Sequence, residues 1–419
     1  MEEPSSLARP AAAPLREPLT GEQAALRLLS ERFVALQRGV RVLEHVSWDG
    51  IVEADFFARG AAALPRIDAE WYQFQPLPFD PDARRGEFRD LERDVRRTLG
   101  VGHPGGQLLL RRCRESRQVL DLLVARGTAE FGPLSERLYG AAPAAAGLAG
   151  QLRRLACRLG SLATGPAEAA SVPAEVAVGQ LHERLAGYFG ERLVRVRLCD
   201  DLAANAAATL DTLKVRRDAT FTPREVRLLE VHEGWIHLGT TLNGQAQPIC
   251  TFLSKCLPST TTTQEGLAVL VEVLAGAAHA DRLDRLALRV EGIAWARAGA
   301  DFLDVYKAYR DRGLTERDAY QQAMRVFRGT PVTGGTAFAK DACYARGFLA
   351  LGRTSHDDLA LLTVGKTRRE DLPLLRALLD MGMLRKPRFV PPVFAPRVEM
   401  LPAVGVGGLA AMALRVGMN

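Results

Sequence analysis

Apolar residues along this chain recur mostly at helical spacing. Ala25, Leu28, Leu29, Phe33 and Leu36 share one face of a segment predicted as a helix over 21–43. Further helices are predicted over 48–60, 86–99, 106–126 and 133–139, punctuated by glycines. PRIDAEWYQFQPLPFDPDA, rich in proline and aromatic residues, reads as an extended connector packed on the body. GAAPAAAGLAG and the stretch 163–175 are soft boundaries. After Phe189 the apolar period falls to two. RLVRVRLCD alternates as a half-buried strand does, and residues 209–221 read as a second strand. The pair is expected to form a small antiparallel sheet, whose edge suits an extended peptide.

A marked helix start follows. Thr222 is placed as N-cap, Pro223 as first helical residue, and Glu225 completes a Thr-x-x-Glu capping box. The helix therefore runs from Pro223 through at least His232. From Gln264 onward helices are predicted over 264–276, 280–298, 302–312, 316–327 and 337–351, with TPVTGGT as a glycine-rich loop. The expected fold class is α+β, mostly helical. The expected organisation is a disordered leader (1–20), a helical N-terminal region (21–175), a catalytic domain (176–395) and a C-terminal tail (396–419).

Composition narrows the setting. With 419 residues, 47% of them hydrophobic, the chain can bury a large core. No apolar run approaches the roughly 18 residues of a membrane span, and the N-terminus lacks the apolar stretch of a secretory signal. Six cysteines, scattered and without CxxC spacing, argue for reduced thiols and a cytoplasmic location. The formal net charge of +6 is spread without basic runs or interleaved aromatics, which argues against nucleic acid and is compatible with an acidic substrate.

The candidate chemistry lies between Leu228 and Leu270. His232, Glu233 and His237 form HExxxH, with Glu265 further on. Two imidazoles and a carboxylate make a zinc ligand set that leaves a fourth position for water, and Glu233 is placed to take a proton from that water. This points to a zinc-dependent peptidase. The spacing is unusual. At about 100° per residue, five residues rotate the second imidazole about 140° from the first, so a regular helix would not aim both at one ion. The helix must bulge, tighten or end between them, and a single-turn π-bulge permitted by Gly234 is the obvious device. Spacing alone leaves other readings open: a histidine pair around a glutamate is common on surfaces and in cores, and Thr262-x-x-Glu265 before an apolar run is itself a capping box.

Other motifs carry less. His45, His103, His182 and His356 stand without partners nearby in sequence, and His279 beside Asp281 and Asp284 reads as a polar helix end. Neither GxSxG nor a dinucleotide fingerprint is present. Gly365-Lys366-Thr367 ends like a P-loop, but Ala360 stands where the first glycine is needed. Cys250 and Cys256 read as core thiols.

QEGLA (264–268), HExxxH (232–237), NGxxQP (243–248), RVFRG (325–329), KDxxYxxG (340–347), LLTVGKT (361–367) and LLDMGMLRKPRFVPP resemble, together and in order, a known pattern. They are similar to the flavohemoglobin expression-modulating QEGLA-motif protein family, related to the microtubule-associated tyrosine carboxypeptidase, a zinc enzyme. The resemblance covers about 192–392. It implies a zincin-like catalytic domain with His232, His237 and Glu265 as zinc ligands and Glu233 as general base. On that basis Tyr344 is the candidate donor to the oxyanion. Arg325, Arg328 and Lys340 are the candidates for holding a substrate carboxylate. The implied activity is a carboxypeptidase acting on a peptide or protein C-terminus. The alternatives are a zinc amidase acting on a small peptide or amino-acid conjugate, and a non-hydrolytic, zinc-stabilised regulatory or binding protein. Two departures from the pattern bear on pocket shape: bulky Trp235 and Ile236 inside HEGWIH, and a longer link, TPVTGGTAFAKD.

Overall fold

The computed structural model describes residues 18–141, 145–162, 171–200, 202 and 204–394. The expectations for most of the leader, for the tail from 396 and for parts of both soft boundaries fall outside the described residues.

The architecture is α+β and dominated by helices. Helix Gly21–Leu36 begins in a capping box made by Thr20 and Gln23 and ends earlier than expected, with a separate short turn over Val42–His45. The connector is partly helical: Asp68 caps Ala69–Gln73, and Asp80 caps a helix that starts at Pro81 rather than at 86 and runs to Leu99. Aspartate followed by a first-turn proline is a helix start, a signal masked by the surrounding prolines and aromatics. Helices Pro104–Val124, Phe131–Tyr139 and Glu316–Phe327 lie where the apolar period places them.

The strands correct the expected sheet. β1 (Val172–Pro173) pairs antiparallel with β5 (Thr220–Phe221). β2 (Arg195–Cys199), β3 (Ala206–Thr209) and β4 (Thr212–Arg216) form a second sheet in the order β2-β4-β3. The segment 209–221 is therefore broken, and β2 pairs with β4 in parallel, so this sheet is mixed rather than antiparallel. The break is the two-residue turn Leu210-Asp211, with Leu210 at φ 48°. Such turns normally announce themselves with Gly or Asn; TLDT gives no such signal.

Buried apolar side chains gather into clusters that join distant parts of the chain. Leu148–Leu159, helix Ala174–Phe189, the mixed sheet and helices Pro258–Leu274 and Ala280–Arg297 share one cluster. Leu26, Leu29, Phe33, Phe88 and Leu109 pack with Ile249–Leu257 and Leu375–Leu384 in a second. Trp48, Phe56 and Tyr72 meet Phe302, Tyr309, Tyr320 and Phe327 in an aromatic third. Among the described residues no helix is long and apolar enough to cross a membrane.

Candidate metal centre

The site begins with an irregular helix. Pro223–Leu229 is α-helical behind its Thr222–Glu225 capping box, Glu230–Leu238 opens into a π-helix, and Gly239–Gln245 returns to α. The extra residue per turn turns His237 back toward His232, so that the two rings meet edge to face with centroids 4.9 Å apart. Gly234 has a steric role as well: a Cβ there would lie 2.4 Å from Leu185 Cδ2 on the neighbouring helix.

Glu265 comes from the next helix, but not from its head. That helix starts at Pro258 and runs to Leu274, so Glu265 lies in its interior and the Thr262 capping reading falls. Interior placement leaves the carboxylate free to face the histidines. Its Oε2 is 3.6 Å from His232 Nε2 and 3.4 Å from His237 Nε2. Among the described residues these three side chains bring one ligand atom each within 4.8 Å of one another. Glu233 extends beside them, with Oε1 3.9 Å from His232 Nε2. Its Oε2 accepts the Ala208 backbone N–H at 3.0 Å, so β3 lies over the site.

The fit to a divalent metal can be judged from the donors themselves. Glu265 Oε1 accepts from Lys340 Nζ at 3.1 Å, whereas Oε2, buried and facing both Nε2 atoms, has no hydrogen-bond partner. An orphaned buried carboxylate oxygen is costly unless a cation completes it. His232 Nδ1 lies 2.6 Å from Glu272 Oε1. Burial opposes the Glu272 carboxylate, yet the Arg282 guanidinium and His232 outweigh it and hold the group at about 2. Glu272 therefore accepts, Nδ1 donates, and Nε2 is the ring atom aimed at the site, the usual arrangement behind a metal-ligating histidine. Arg282 completes the chain, donating to both Glu272 oxygens at 3.1 and 2.9 Å. The residues present fit zinc.

The electrostatics agree with this arrangement. Burial works against charge on His232, but the neighbouring Glu265 and Glu272 carboxylates prevail and push it up to about 10 without a metal. Burial likewise disfavours the Glu265 carboxylate, and Lys340 together with the histidines still holds it well below the usual range. Neither Glu272 nor Arg282 was identifiable from sequence. Glu272 lies two helical turns beyond Glu265 on the same face, and that seven-residue spacing was the available signal.

Helix Ala342–Leu351 crosses the glutamate helix where two glycines touch. A Cβ on Gly266 would lie 2.3 Å from Gly347 C, and one on Gly347 would lie 1.8 Å from Thr262 O. The glycine of QEGLA and the last glycine of KDxxYxxG are thus one contact. The close crossing sets Lys340 on Glu265 and lays the Tyr344 ring nearly parallel to His232, 6.3 Å between centroids.

Behind Tyr344 lies a cluster of cations. Arg325, expected to offer its fork to substrate, holds Asp341 instead, at 2.5 and 2.9 Å. Arg328 is buried with its Nε unpartnered. Burial and the neighbouring Arg325 lower it to about 10, and the same two causes bring Arg289 to about 10. Arg289, not anticipated from sequence, donates to Gln322 at 3.0 Å and lies 5.4 Å from the Tyr344 ring centroid.

Two remaining motifs are structural. Asn243 donates to Thr363 O and Phe389 O, both at 2.8 Å, and accepts from Arg388 N and Phe389 N, tying the RKPRF segment to the end of the site helix. Lys366, from the P-loop-like tripeptide, is buried and donates to His237 O at 3.0 Å, Thr240 Oγ1 at 2.8 Å and Gln264 Oε1 at 3.2 Å. It props the π segment from below.

The fold and site thus define a helical α+β protein in which two histidines on a π-bulged helix face a glutamate of the following helix, a set that could hold a metal ion. The chain belongs to the microtubule-associated tyrosine carboxypeptidase family, whose model matches residues 54–405. The match begins far upstream of the motif-bearing segment, so the helices from residue 54 onward are part of the family pattern. No curated protein matches the chain.

Proposed function

We propose that this protein is a zinc-dependent carboxypeptidase with a zincin-like catalytic centre, acting on a peptide or protein C-terminus. The observation that carries the reading is Glu265 Oε2, buried and unpartnered opposite the Nε2 atoms of His232 and His237, with Glu233 alongside. The family description, a tyrosine carboxypeptidase, supports the exopeptidase class. His232, His237 and Glu265 would hold the zinc, and bound zinc supplies Lewis acidity to the scissile carbonyl and acidifies water.

The chain's own groups carry the remaining work. Glu233 accepts the proton of the attacking water and returns it to the departing amine nitrogen. The Ala208 N–H bonded to Oε2 fixes the carboxylate and leaves Oε1, the oxygen nearer His232, to take the proton. Tyr344, held between His232 and the cations behind it, is the donor assigned to the developing oxyanion. The terminal carboxylate of the substrate is assigned to Arg328 and Arg289, with Lys340 shared with Glu265 and Arg325 neutralised by Asp341. These cations exceed the carboxylates beside them, and an incoming carboxylate supplies the missing charge.

The experiment is peptide trimming by mass spectrometry with wild type and Glu233→Gln, using substrates with free or amidated C-termini. Removal of a single residue from free C-termini only, abolished in Glu233→Gln with zinc content unchanged, is expected. Internal cleavage, or turnover by Glu233→Gln at the wild-type rate, would overturn it.

A further inference from the structure

A cavity of about 660 Å³ opens beside the first turn of the helix that carries Glu265. None of its lining residues belongs to the metal centre. Arg96, Arg111, Arg114, Arg137 and Arg368 line it, and Glu115 is its one acidic lining residue. That carboxylate is already committed, accepting the Ser259 backbone N–H at 2.6 Å and the Ser259 hydroxyl at 2.7 Å.

The arginines are unevenly neutralised. Arg111 pairs with buried Asp371, and Arg368 lies 3.3 Å from exposed Glu370. Arg96 reaches Glu92 only at 3.5 Å, and Glu92 is shared with Arg117. Arg114 makes a single bond to the Leu110 carbonyl at 3.2 Å. Arg137 has no ion pair among the described residues. The charge is also organised by the helix: Gln107, Arg111, Arg114 and Gln118 recur at steps of four, three and four along Pro104–Val124, which places them on one face. Leu110, Leu138 and Leu374 give the cavity an apolar floor.

We propose that this cavity binds a small organic polyanion, a molecule with at least two phosphate or carboxylate groups, at a site separate from the metal centre. Guanidinium forks converging from several elements match the planar oxygens of such groups in pairs. The volume lies within the roughly 300–1,000 Å³ of small-ligand sites, whereas an acidic polypeptide would call for an extended groove. Without an anion the arginines repel one another; with one, the apolar floor covers the organic part of the ligand. The inference does not rest on the peptidase reading.

The test is titration calorimetry on the full chain after chelator treatment, so that no anion reports on a metal. The probes are pyrophosphate, ATP and citrate, which separate bare phosphate, organic phosphate and carboxylate as the preferred chemistry. At least one organic probe is expected to bind the wild type. Arg114 and Arg137 are exposed, so the double variant Arg114→Ala, Arg137→Ala should keep its fold and bind about tenfold or more weakly. The double lysine variant keeps the charge and loses the forks, and should also bind more weakly than wild type. Arg93→Ala, at an exposed arginine paired with Asp90 outside the cavity, should bind as wild type does. Absence of binding by all three probes would overturn the proposal. So would affinity in the alanine double variant within twofold of wild type, or binding of an oligoglutamate peptide when the small anions fail.

Discussion

Replacing Glu272 by glutamine tests how the metal centre is built. Glu272 has no exposed surface, and its carboxylate takes three hydrogen bonds: His232 Nδ1 at 2.6 Å and Arg282 at 2.9 and 3.1 Å. Glutamine keeps the shape but replaces one acceptor oxygen with an NH2 group, so at least one bond becomes donor against donor. Losing a hydrogen bond to a charged group costs about 1.5–3 kcal/mol. Stripping a buried ion of its partner costs about 3–5 kcal/mol. Since the glutamine oxygen still serves Arg282, the expected loss of stability is about 3 kcal/mol. A separate effect falls on the metal: the amide oxygen left at the Oε1 position still faces His232 Nδ1 and Arg282, but without the carboxylate charge it is a weaker acceptor and fixes the Nδ1–H and ring orientation less firmly. Such outer carboxylates typically contribute about 10–100-fold in affinity, or about 1.4–2.8 kcal/mol. Zinc affinity by chelator competition and urea denaturation of the metal-free protein measure the two effects independently. Weakened stability with zinc affinity within twofold of wild type would refute the orientation argument and leave Glu272 a core ion pair.

Two further substitutions probe the supports of the site. Gly347→Ala forces a Cβ to within 1.8 Å of Thr262 O at the helix crossing, and overpacking against backbone is expected to cost at least about 1–3 kcal/mol, seen as a lower thermal midpoint; an unchanged midpoint would mean the crossing is not tight. Lys366→Met fills the same space but leaves Thr240 Oγ1 without its lysine donor and Gln264 Oε1 with the Thr240 hydroxyl alone, at about 1–3 kcal/mol. Because the lysine props the π segment and lies outside the ligand set, the variant should keep its zinc and lose kcat. Wild-type kcat would show that the segment holds its shape unaided.

Much of this protein was legible in its sequence because the deciding interactions are local. The Thr222–Glu225 capping box fixed where the site helix starts, and the rotation implied by HExxxH required the irregularity that Glu230–Leu238 provides. Apolar spacing placed most helices within a few residues, since a helix bonds within its own segment. What only the tertiary structure decided depends on partners far away in the chain. The mixed order β2-β4-β3 follows from a turn without a glycine signal and from parallel pairing of residues 17 apart, Arg195 with Thr212 through Cys199 with Arg216. Glu265 left the cap position assigned by its local sequence because Pro258 starts the helix earlier. Glu272, Arg282 and Arg289 carry no motif; packing alone sets the first two behind His232 and the third behind Tyr344. Arg325 looked like a substrate ligand until Asp341, 16 residues on, was seen to hold it. A sequence specifies which side chains can serve as ligands and bases, but charge neutralisation acts through space, and only the folded chain decides which of them remain free.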